Sequence, residues 1–216
     1  MISNNLKKRL LTSILLFILL ILIFKFNLIL VYCLIILSVV SILEFLQLTK
    51  KIAIKPFSKI MLNILFMFYI FSFCLIFLFF SYYHGFKIIL YITLLGCIAS
   101  DIGGFIFGKL LKGPKLTRIS PNKTYSGSFG SIISSIIIVL ICAYYFFGYL
   151  NLKILIIGAI ISVLCQIGDL LFSFLKRKAK VKDTGNFFPG HGGVLDRLDG
   201  IFLGVPFGLV IFILIF

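Results

Sequence analysis

Apolar runs that are long enough to cross a membrane follow one another along almost the whole of this chain. A hydrocarbon core of about 30 Å needs roughly 20 consecutive apolar residues in a helix, and the backbone polar groups inside it must bond to one another. Of the 216 residues, 62% are hydrophobic and only 12% are charged, whereas soluble domains have about 25% charged residues. The sequence therefore predicts an all-α, polytopic integral membrane protein.

Proline, glycine and clusters of cations divide the chain into about seven predicted spans, with six to eight as the acceptable range. Their approximate bounds are 10–24, 28–46, 61–83, 88–108, 129–149, 154–172 and 195–216. The first run follows Lys7, Lys8 and Arg9, as in a signal peptide, but it lacks a small-residue cleavage site. We expect it to be retained as half of a hairpin, and residues 1–216 to form a single helical-bundle membrane domain.

The cations are distributed unevenly between the segments that connect these spans. With the amino terminus in the cytoplasm, 18 of the 21 Lys and Arg residues fall on the cytoplasmic side, and Lys25, Lys87 and Lys153 on the other. Short loops rich in Lys and Arg stay in the cytoplasm, so the sequence predicts a cytoplasmic amino terminus and a multi-pass protein of the cell membrane. The net charge of +15 suits membrane lipids or an anionic substrate. We expect no nucleic acid partner, because loops this short leave no room for a nucleic-acid-binding module.

Carboxylates are few, and several lie in or beside apolar runs. The six are Glu44, Asp101, Asp169, Asp183, Asp196 and Asp199. An ionised carboxylate in a membrane costs about 2.5 to 3.5 kcal/mol even on lenient insertion scales. Asp196 and Asp199 are three residues apart, so a helix would place them on one face. Oxygen ligands with room for water and phosphate suit Mg²⁺; the alternative is a structural ion network with Arg197 or Arg177. Asp169 would complete the metal site if the sixth and seventh spans pack side by side.

Two basic loops offer groups for a phosphate ligand. The loop between the sixth and seventh spans combines five cations with Gly192 and Gly193, and glycines allow a backbone to approach a ligand closely. A second basic loop, residues 109–128, faces the same side of the membrane. The alternative is that both loops are ordinary connections whose cations meet lipid headgroups. Asp101, which lies among glycines, is alternatively part of a helix-packing site.

A long set of polar residues and glycines occupies the carboxyl-terminal half of the chain. It comprises Ser173, Phe174, Leu175, Lys176, Arg177, Lys182, Asp183, Pro189, Gly190, His191, Gly192, Gly193, Asp196, Arg197, Leu198 and Asp199. This set resembles the signature of the phosphatidate cytidylyltransferases, also called CDP-diglyceride synthetases. Upstream, residues 120–124 with Gly127 resemble the S-P-x-K-T segment of that family, and Gly168 with Asp169 resembles its G-D pair. The resemblance covers residues 100–206, which we expect to be the catalytic half, beside a variable membrane-spanning half at 1–99.

The resemblance implies an Mg²⁺-dependent membrane enzyme that transfers CMP from CTP to phosphatidate and releases CDP-diacylglycerol and pyrophosphate. By this likeness Asp169, Asp196 and Asp199 are catalytic and hold the metal, with Asp101 and Asp183 as further candidates. The predicted substrate-binding residues are Ser120, Lys123, Thr124, Lys176, Arg177, Lys182, His191, Gly192, Gly193 and Arg197. The active site is expected to face the cytoplasm, and a second cation and a homodimer are left open.

Two rival functions are open to a chain of this kind. A CDP-alcohol phosphotransferase would also use helical aspartates and a metal, but its D-G-x-x-A-R pattern is not found in this sequence. A transporter would explain the intramembrane residues Asp101 and Asp169. Against a transporter, the acids cluster with cations at one membrane face, and the two halves of the chain show no repeat.

Overall fold

A computed structural model of the chain describes residues 15, 18–117, 119–121, 123–185, 187 and 192–215. Its six long helices are α1 (Asn27–Lys51), α2 (Pro56–Tyr82), α3 (His84–Leu111), α4 (Tyr125–Phe147), α5 (Leu152–Lys178) and α6 (Leu195–Ile215). Each of the six is long and apolar enough to cross a membrane. The part of the chain that is described has no strand, and an isolated bridge joins Lys115 and Thr124. The predicted all-α membrane fold is confirmed.

The six helices correspond to six of the predicted spans, and most of their ends agree within several residues. Some helices are longer than the apolar runs because their cationic ends remain helical. Lys50 and Lys51 lie in the last turn of α1, and residues 176–178 in the last turn of α5, where cations interact favourably with the helix dipole. Part of the first predicted span, 10–24, lies outside the described residues, and residues 18–25 are helical. The six candidate spans within the described part of the chain fall within the predicted range.

The described residues group into two compact units. The first unit combines residues of Met1–Tyr82 with Leu175–Arg197, and the second combines Tyr83–Phe174 with residues of Leu198–Phe216. The boundary runs through α5 and α6, so each of these helices contributes residues to both units. The sequence predicts a single domain whose two halves meet near residue 100. The two units divide the chain at other positions, and the single domain stays a prediction.

In the first unit, α1 and α2 pack through aromatic and polar contacts. The rings of Phe45 and Phe66 stack with their centroids 3.8 Å apart. The Thr49 hydroxyl donates a hydrogen bond to Oδ1 of Asn63 at 2.8 Å, which satisfies two polar groups of apolar helices. The carboxyl-terminal end of α1 also packs in a buried cluster with Ala179. This cluster ties α1 to the start of the basic segment that follows α5.

In the second unit, small residues allow neighbouring helices to approach closely. A β-carbon at Gly103 of α3 would lie 2.7 Å from the carbonyl oxygen of Gly130 in α4, and one at Gly158 of α5 would lie 2.8 Å from Cα of Ile136 in α4. Close backbone contact at small residues is typical of membrane helices, since the hydrophobic effect does not drive their association within lipid. The small-residue packing considered for the region around Asp101 is therefore present.

Candidate active site

Asp169 and Lys123 form an ion pair in the second unit. Nζ of Lys123 lies 2.9 Å from Oδ2 of Asp169, and the two side chains are 27% and 21% exposed. Partial desolvation makes such a pair stronger than an exposed surface pair. Lys123 lies in the loop before α4 and Asp169 lies in α5, 46 residues away. The fold thus brings together two predicted site residues from distant parts of the sequence.

The loop that presents Lys123 is fixed by its own hydrogen bonds. The N–H of Leu116 donates to the carbonyl of Lys123 at 2.7 Å, and the N–H of Lys123 donates to the carbonyl of Ser120 at 3.1 Å. Thr124 is the N-cap of α4, and its hydroxyl accepts the N–H of Gly127 at 3.1 Å, a bond that commonly stabilises a helix start by about 1 kcal/mol. Ser120 and Thr124, which were predicted to bind substrate, therefore also shape this loop.

Helices α5 and α6 approach each other closely beside Asp169. A β-carbon at Gly168 would lie 2.5 Å from the carbonyl oxygen of Asp199, and a β-carbon at Gly200 would lie 2.9 Å from Oδ1 of Asp169. The Asp199 carboxylate accepts the N–H of Gly200 at 3.0 Å. The sequence prediction required the sixth and seventh spans to pack side by side, and within the second unit they do. Asp169 and Asp199 therefore lie on two helices that touch at adjacent positions.

Asp101 lies in α3 and contacts a buried cysteine of the same unit. The thiol of Cys165 donates to Oδ1 of Asp101 at 3.5 Å and to the carbonyl of Cys97 at 3.8 Å. A β-carbon at Gly200 would lie 2.5 Å from Sγ of Cys165. Cys165 therefore lies between the carboxylate of Asp101 and helix α6. No feature of the sequence predicts this contact, because a cysteine in an apolar run is most often a small packing residue.

Asp196 is held in the first unit by a cation and by two backbone donors. Its Oδ1 lies 2.8 Å from Nζ of Lys176, and the two side chains are 7% and 12% exposed respectively. Its Oδ2 accepts the N–H of Thr184 at 2.8 Å and the N–H of Gly193 at 3.0 Å. A desolvated carboxylate is stable only when its oxygens are satisfied in this way. For Asp196 the structure shows the ion-pair alternative, with Lys176 as the partner; its role as a metal ligand stays a prediction.

Gly192 and Gly193, which precede α6, lie against Asp196. Gly192 has a φ of 84°, which favours glycine, and a β-carbon there would lie 3.0 Å from Oδ2 of Asp196. The N–H of Gly193 is already bound by Asp196, a use that differs from the predicted contact with phosphate. Asp183 lies beside Gly192 and is exposed. His191, a predicted substrate-binding residue, lies outside the described residues.

Three other predicted phosphate-binding cations lie on the first unit. Arg177 follows Lys176 at the end of α5, Lys182 lies in the segment after it, and Arg197 lies in the first turn of α6. All three residues are exposed. Cations at such positions can attract an anionic ligand, because they have not been desolvated by burial.

Glu44 of α1 is a residue of this region that was counted in the sequence and given no role. It is only 6% exposed. Its Oε2 accepts the Thr184 hydroxyl at 2.8 Å and the N–H of Leu195 at 2.9 Å, and its Oε1 accepts the N–H of Val194 at 3.0 Å. The sequence feature that could have identified Glu44 is the free-energy cost of placing a carboxylate in an apolar run. This cost applies to Glu44 as much as to Asp169.

Carboxylates of the described residues are the candidate ligands for Mg²⁺. Among the described residues, no three His, Cys, Asp or Glu side chains form a group that could hold a metal ion. Mg²⁺ commonly uses only one or two carboxylates and completes its six ligands with water and substrate phosphates. Asp169 and Asp199, on touching helices of one unit, fit that smaller requirement. Binding of Mg²⁺ by these residues stays a prediction.

The family model of the cytidylyltransferase family matches residues 2–216. The phosphatidate cytidylyltransferase of Staphylococcus epidermidis is 42% identical over 109 residues, which are 50% of this chain and 42% of the relative. That of Synechocystis sp. is 40% identical over 112 residues, 51% of this chain and 38% of the relative.

A third relative, the phosphatidate cytidylyltransferase of Rickettsia typhi, is 41% identical over 138 residues, 57% of this chain and 60% of the relative. The chain thus spans about half the length of the curated relatives that it matches. The family model, in contrast, matches almost every residue of the chain. The chain therefore belongs to the cytidylyltransferase family.

Proposed function

We propose that this chain transfers CMP from CTP to phosphatidate, giving CDP-diacylglycerol and pyrophosphate. Family membership supports the nucleotide, and the names of the relatives support the lipid. The observation that carries the proposal is the contact of α5 with α6 in the second unit. That contact places Asp169, paired with Lys123 at 2.9 Å, beside the backbone of Asp199. Three residues of the predicted site are thereby brought to one place.

The proposed reaction needs little proton transfer. A phosphate monoester has a second ionisation near about pH 6, so the phosphate of phosphatidate is already a dianionic nucleophile at neutral pH. One of its oxygens forms a bond to the α-phosphorus of CTP, while the bond from that phosphorus to the bridging oxygen breaks and pyrophosphate leaves with the electron pair. The main barrier is repulsion between anions, so positioning and charge stabilisation supply most of the catalysis.

The predicted site residues have different proposed roles. Asp169 and Asp199 would hold Mg²⁺, which when bound neutralises negative charge on the phosphates of CTP. Lys123 forms an ion pair with Asp169 and brings a cation to the same place. Arg177, Lys182 and Arg197 are exposed and would attract the phosphates. Asp196, paired with Lys176, holds the backbone of Thr184 and Gly193 in place.

Two neighbouring cations are expected to differ when each is replaced by alanine. Arg177 is exposed, so Arg177→Ala should leave the folded yield unchanged and raise KM for CTP about three- to tenfold. Lys176 pairs with a carboxylate that is only 7% exposed, so Lys176→Ala should reduce the folded yield, because it leaves Asp196 without its cation. Detergent gel filtration and steady-state kinetics measure both effects. Equal effects of the two variants on yield and KM would contradict this division.

We also propose that the active site faces the cytoplasm, in accordance with the excess of cations on that side. A cysteine introduced at Lys182, which is exposed, should react with an impermeant thiol reagent only from the cytoplasmic side. A cysteine at Lys153, also exposed, should react only from the opposite side and serves as the matched control. Labelling is measured above that of the parent protein. Reaction of both positions from the same side would contradict the orientation.

The proposed activity is separated from the transporter alternative by one comparison. Membranes that contain the protein should incorporate label from [α-³²P]CTP into lipid when phosphatidate is supplied, and label on the γ-phosphate should stay in the aqueous phase. The same membranes should show no ion flux above that of membranes without the protein. Ion flux without incorporation of label would favour a transporter and overturn the proposal.

A further inference from the structure

Glu44 is a buried carboxylate that is satisfied by hydrogen bonds alone. Within the described residues it forms no ion pair, and its two oxygens accept three hydrogen bonds, all from the segment 184–195. Burial of an unpaired carboxylate costs several kcal/mol, so such a group persists only where its surroundings replace the lost water. The three donors provide that replacement. Two of them are backbone N–H groups at the start of α6, where the helix dipole favours a negative charge.

Two glycines, one directly after Thr184 and one just before α6, lie against Glu44. A β-carbon at Gly185 would lie 2.5 Å from Oε1 of Glu44, and a β-carbon at Gly193 would lie 2.5 Å from Oε2. Both glycines therefore bring the backbone closer to the carboxylate than any other residue could. The two ends of the segment are held by one side chain of α1, which is 140 to 151 residues away in the sequence.

Thr184 connects Glu44 to the ion pair of the same unit. Its hydroxyl donates to Glu44 at 2.8 Å, while its N–H donates to Oδ2 of Asp196 at 2.8 Å. Asp196 in turn pairs with Lys176 at 2.8 Å. A continuous set of bonds therefore runs from Glu44 through Thr184 and Asp196 to the cation at the end of α5. A change at Glu44 should be felt at Asp196 and at Lys176.

We propose that Glu44 is a positioning residue: it holds Thr184 and the start of α6 in the arrangement that lets the neighbouring cations Lys182 and Arg197 attract the phosphates of CTP. The inference rests on the proposed function, since it takes Lys182 and Arg197 as part of the CTP site. Glu44 would contact no substrate. It would act through Thr184 and the start of α6, which it holds by hydrogen bonds. Its loss should therefore weaken the binding of CTP more than it slows the reaction of bound CTP.

The proposal is tested with variants of the full-length protein. Glu44→Gln replaces one acceptor oxygen by an N–H₂ group, which cannot accept the bonds that this oxygen now receives. Thr184→Val removes one donor and keeps the shape of the side chain, whereas Thr184→Ser keeps the hydroxyl. Ser41→Ala is the matched control, because Ser41 is buried on the same helix and its hydroxyl has no hydrogen-bond partner among the described residues.

We expect Glu44→Gln and Thr184→Val to raise KM for CTP about tenfold, the effect of losing one hydrogen bond to a charged group. We expect kcat per folded molecule to stay within about threefold and KM for phosphatidate to be unchanged. Thr184→Ser should restore KM for CTP, and Ser41→Ala should match the parent protein. If Glu44→Gln does not fold, the two Thr184 variants decide. An unchanged KM for CTP, or an equal rise in KM for both substrates, would overturn the proposal.

Hydrogen exchange in the absence of substrate gives a second result that does not depend on activity. The amides of Val194 and Leu195 donate to Glu44, so they should exchange faster in Glu44→Gln and at the parental rate in Ser41→Ala. Unchanged exchange would show that Glu44 does not hold the segment. Faster exchange with an unchanged KM for CTP would show that the backbone held by Glu44 has no part in the binding of CTP. Failure of the parent protein to use CTP would instead reject the proposed function itself.

Discussion

Asp169→Asn is expected to reduce CDP-diacylglycerol formation per folded molecule by at least about 100-fold. Asparagine keeps the size of the side chain and removes the charge that pairs with Lys123 at 2.9 Å and that would bind Mg²⁺. The same substitution at Asp199 should have a similar effect, because its carboxylate is the second proposed ligand. Turnover is measured at saturating CTP over a range of Mg²⁺ concentrations, after quantification of folded protein by gel filtration.

A purely structural role for Asp169 predicts the opposite balance of effects. Loss of the carboxylate would leave Lys123 unpaired and reduce the folded yield, while the surviving molecules would turn over normally. Asp169→Glu is the informative companion, because it keeps the charge on a longer side chain. It should retain measurable turnover that requires more Mg²⁺ than the parent enzyme. Near-normal turnover of Asp169→Asn with poor yield would exclude the metal role.

Gly168→Ala is expected to be nearly as damaging, although it changes no polar group. The added β-carbon would lie 2.5 Å from the carbonyl oxygen of Asp199 and 3.2 Å from Cα of Gly200. Both are backbone atoms, so α5 and α6 must move apart where they carry Asp169 and Asp199. A displacement of about 1 Å in a site can cost about 100-fold in rate, and forced overpacking costs about 1–3 kcal/mol of stability.

Gly85→Ala is the matched control for this prediction. Gly85 lies in α3, and a β-carbon there would have no neighbour within 4 Å. Its activity should equal that of the parent protein, and its thermal stability in detergent should be equal or slightly higher, since alanine favours helix more than glycine does. Parental activity of Gly168→Ala would mean that the close contact of α5 with α6 is unimportant for the site.

The number and position of the helices could be read from the sequence because a bilayer imposes a minimum length of apolar residues. The ends were less accurate. Helices α1 and α5 continue through Lys51 and Lys178, because long cationic side chains can extend to the interface while the backbone stays helical. A hydropathy pattern places the end of a span at its first charged residues, so it misses the last helical residues of α1 and α5.

The contacts within the site could be predicted only in part. The cost of intramembrane acids correctly drew attention to Asp169, and its ion pair with Lys123 shows that the charge needed a partner. The partner of Asp196 was not foreseen, because the ion-pair alternative named Arg197 and Arg177, whereas Asp196 pairs with Lys176. Glu44 was passed over, although it receives three hydrogen bonds from residues 140 to 151 positions away. The contacts between a helix face and a distant loop depend on packing, and they cannot be predicted from the residue pattern of one apolar sequence.

The central claim is that this chain transfers CMP from CTP to phosphatidate, and a stoichiometry measured on purified protein tests it most directly. Protein in detergent is mixed with phosphatidate, Mg²⁺ and one nucleoside triphosphate at a time, and both pyrophosphate and nucleotide-linked lipid are quantified. We predict one pyrophosphate for each CDP-diacylglycerol with CTP, and no product with ATP, GTP or UTP. Preference for ATP or UTP, or pyrophosphate released without a lipid product, would contradict the account.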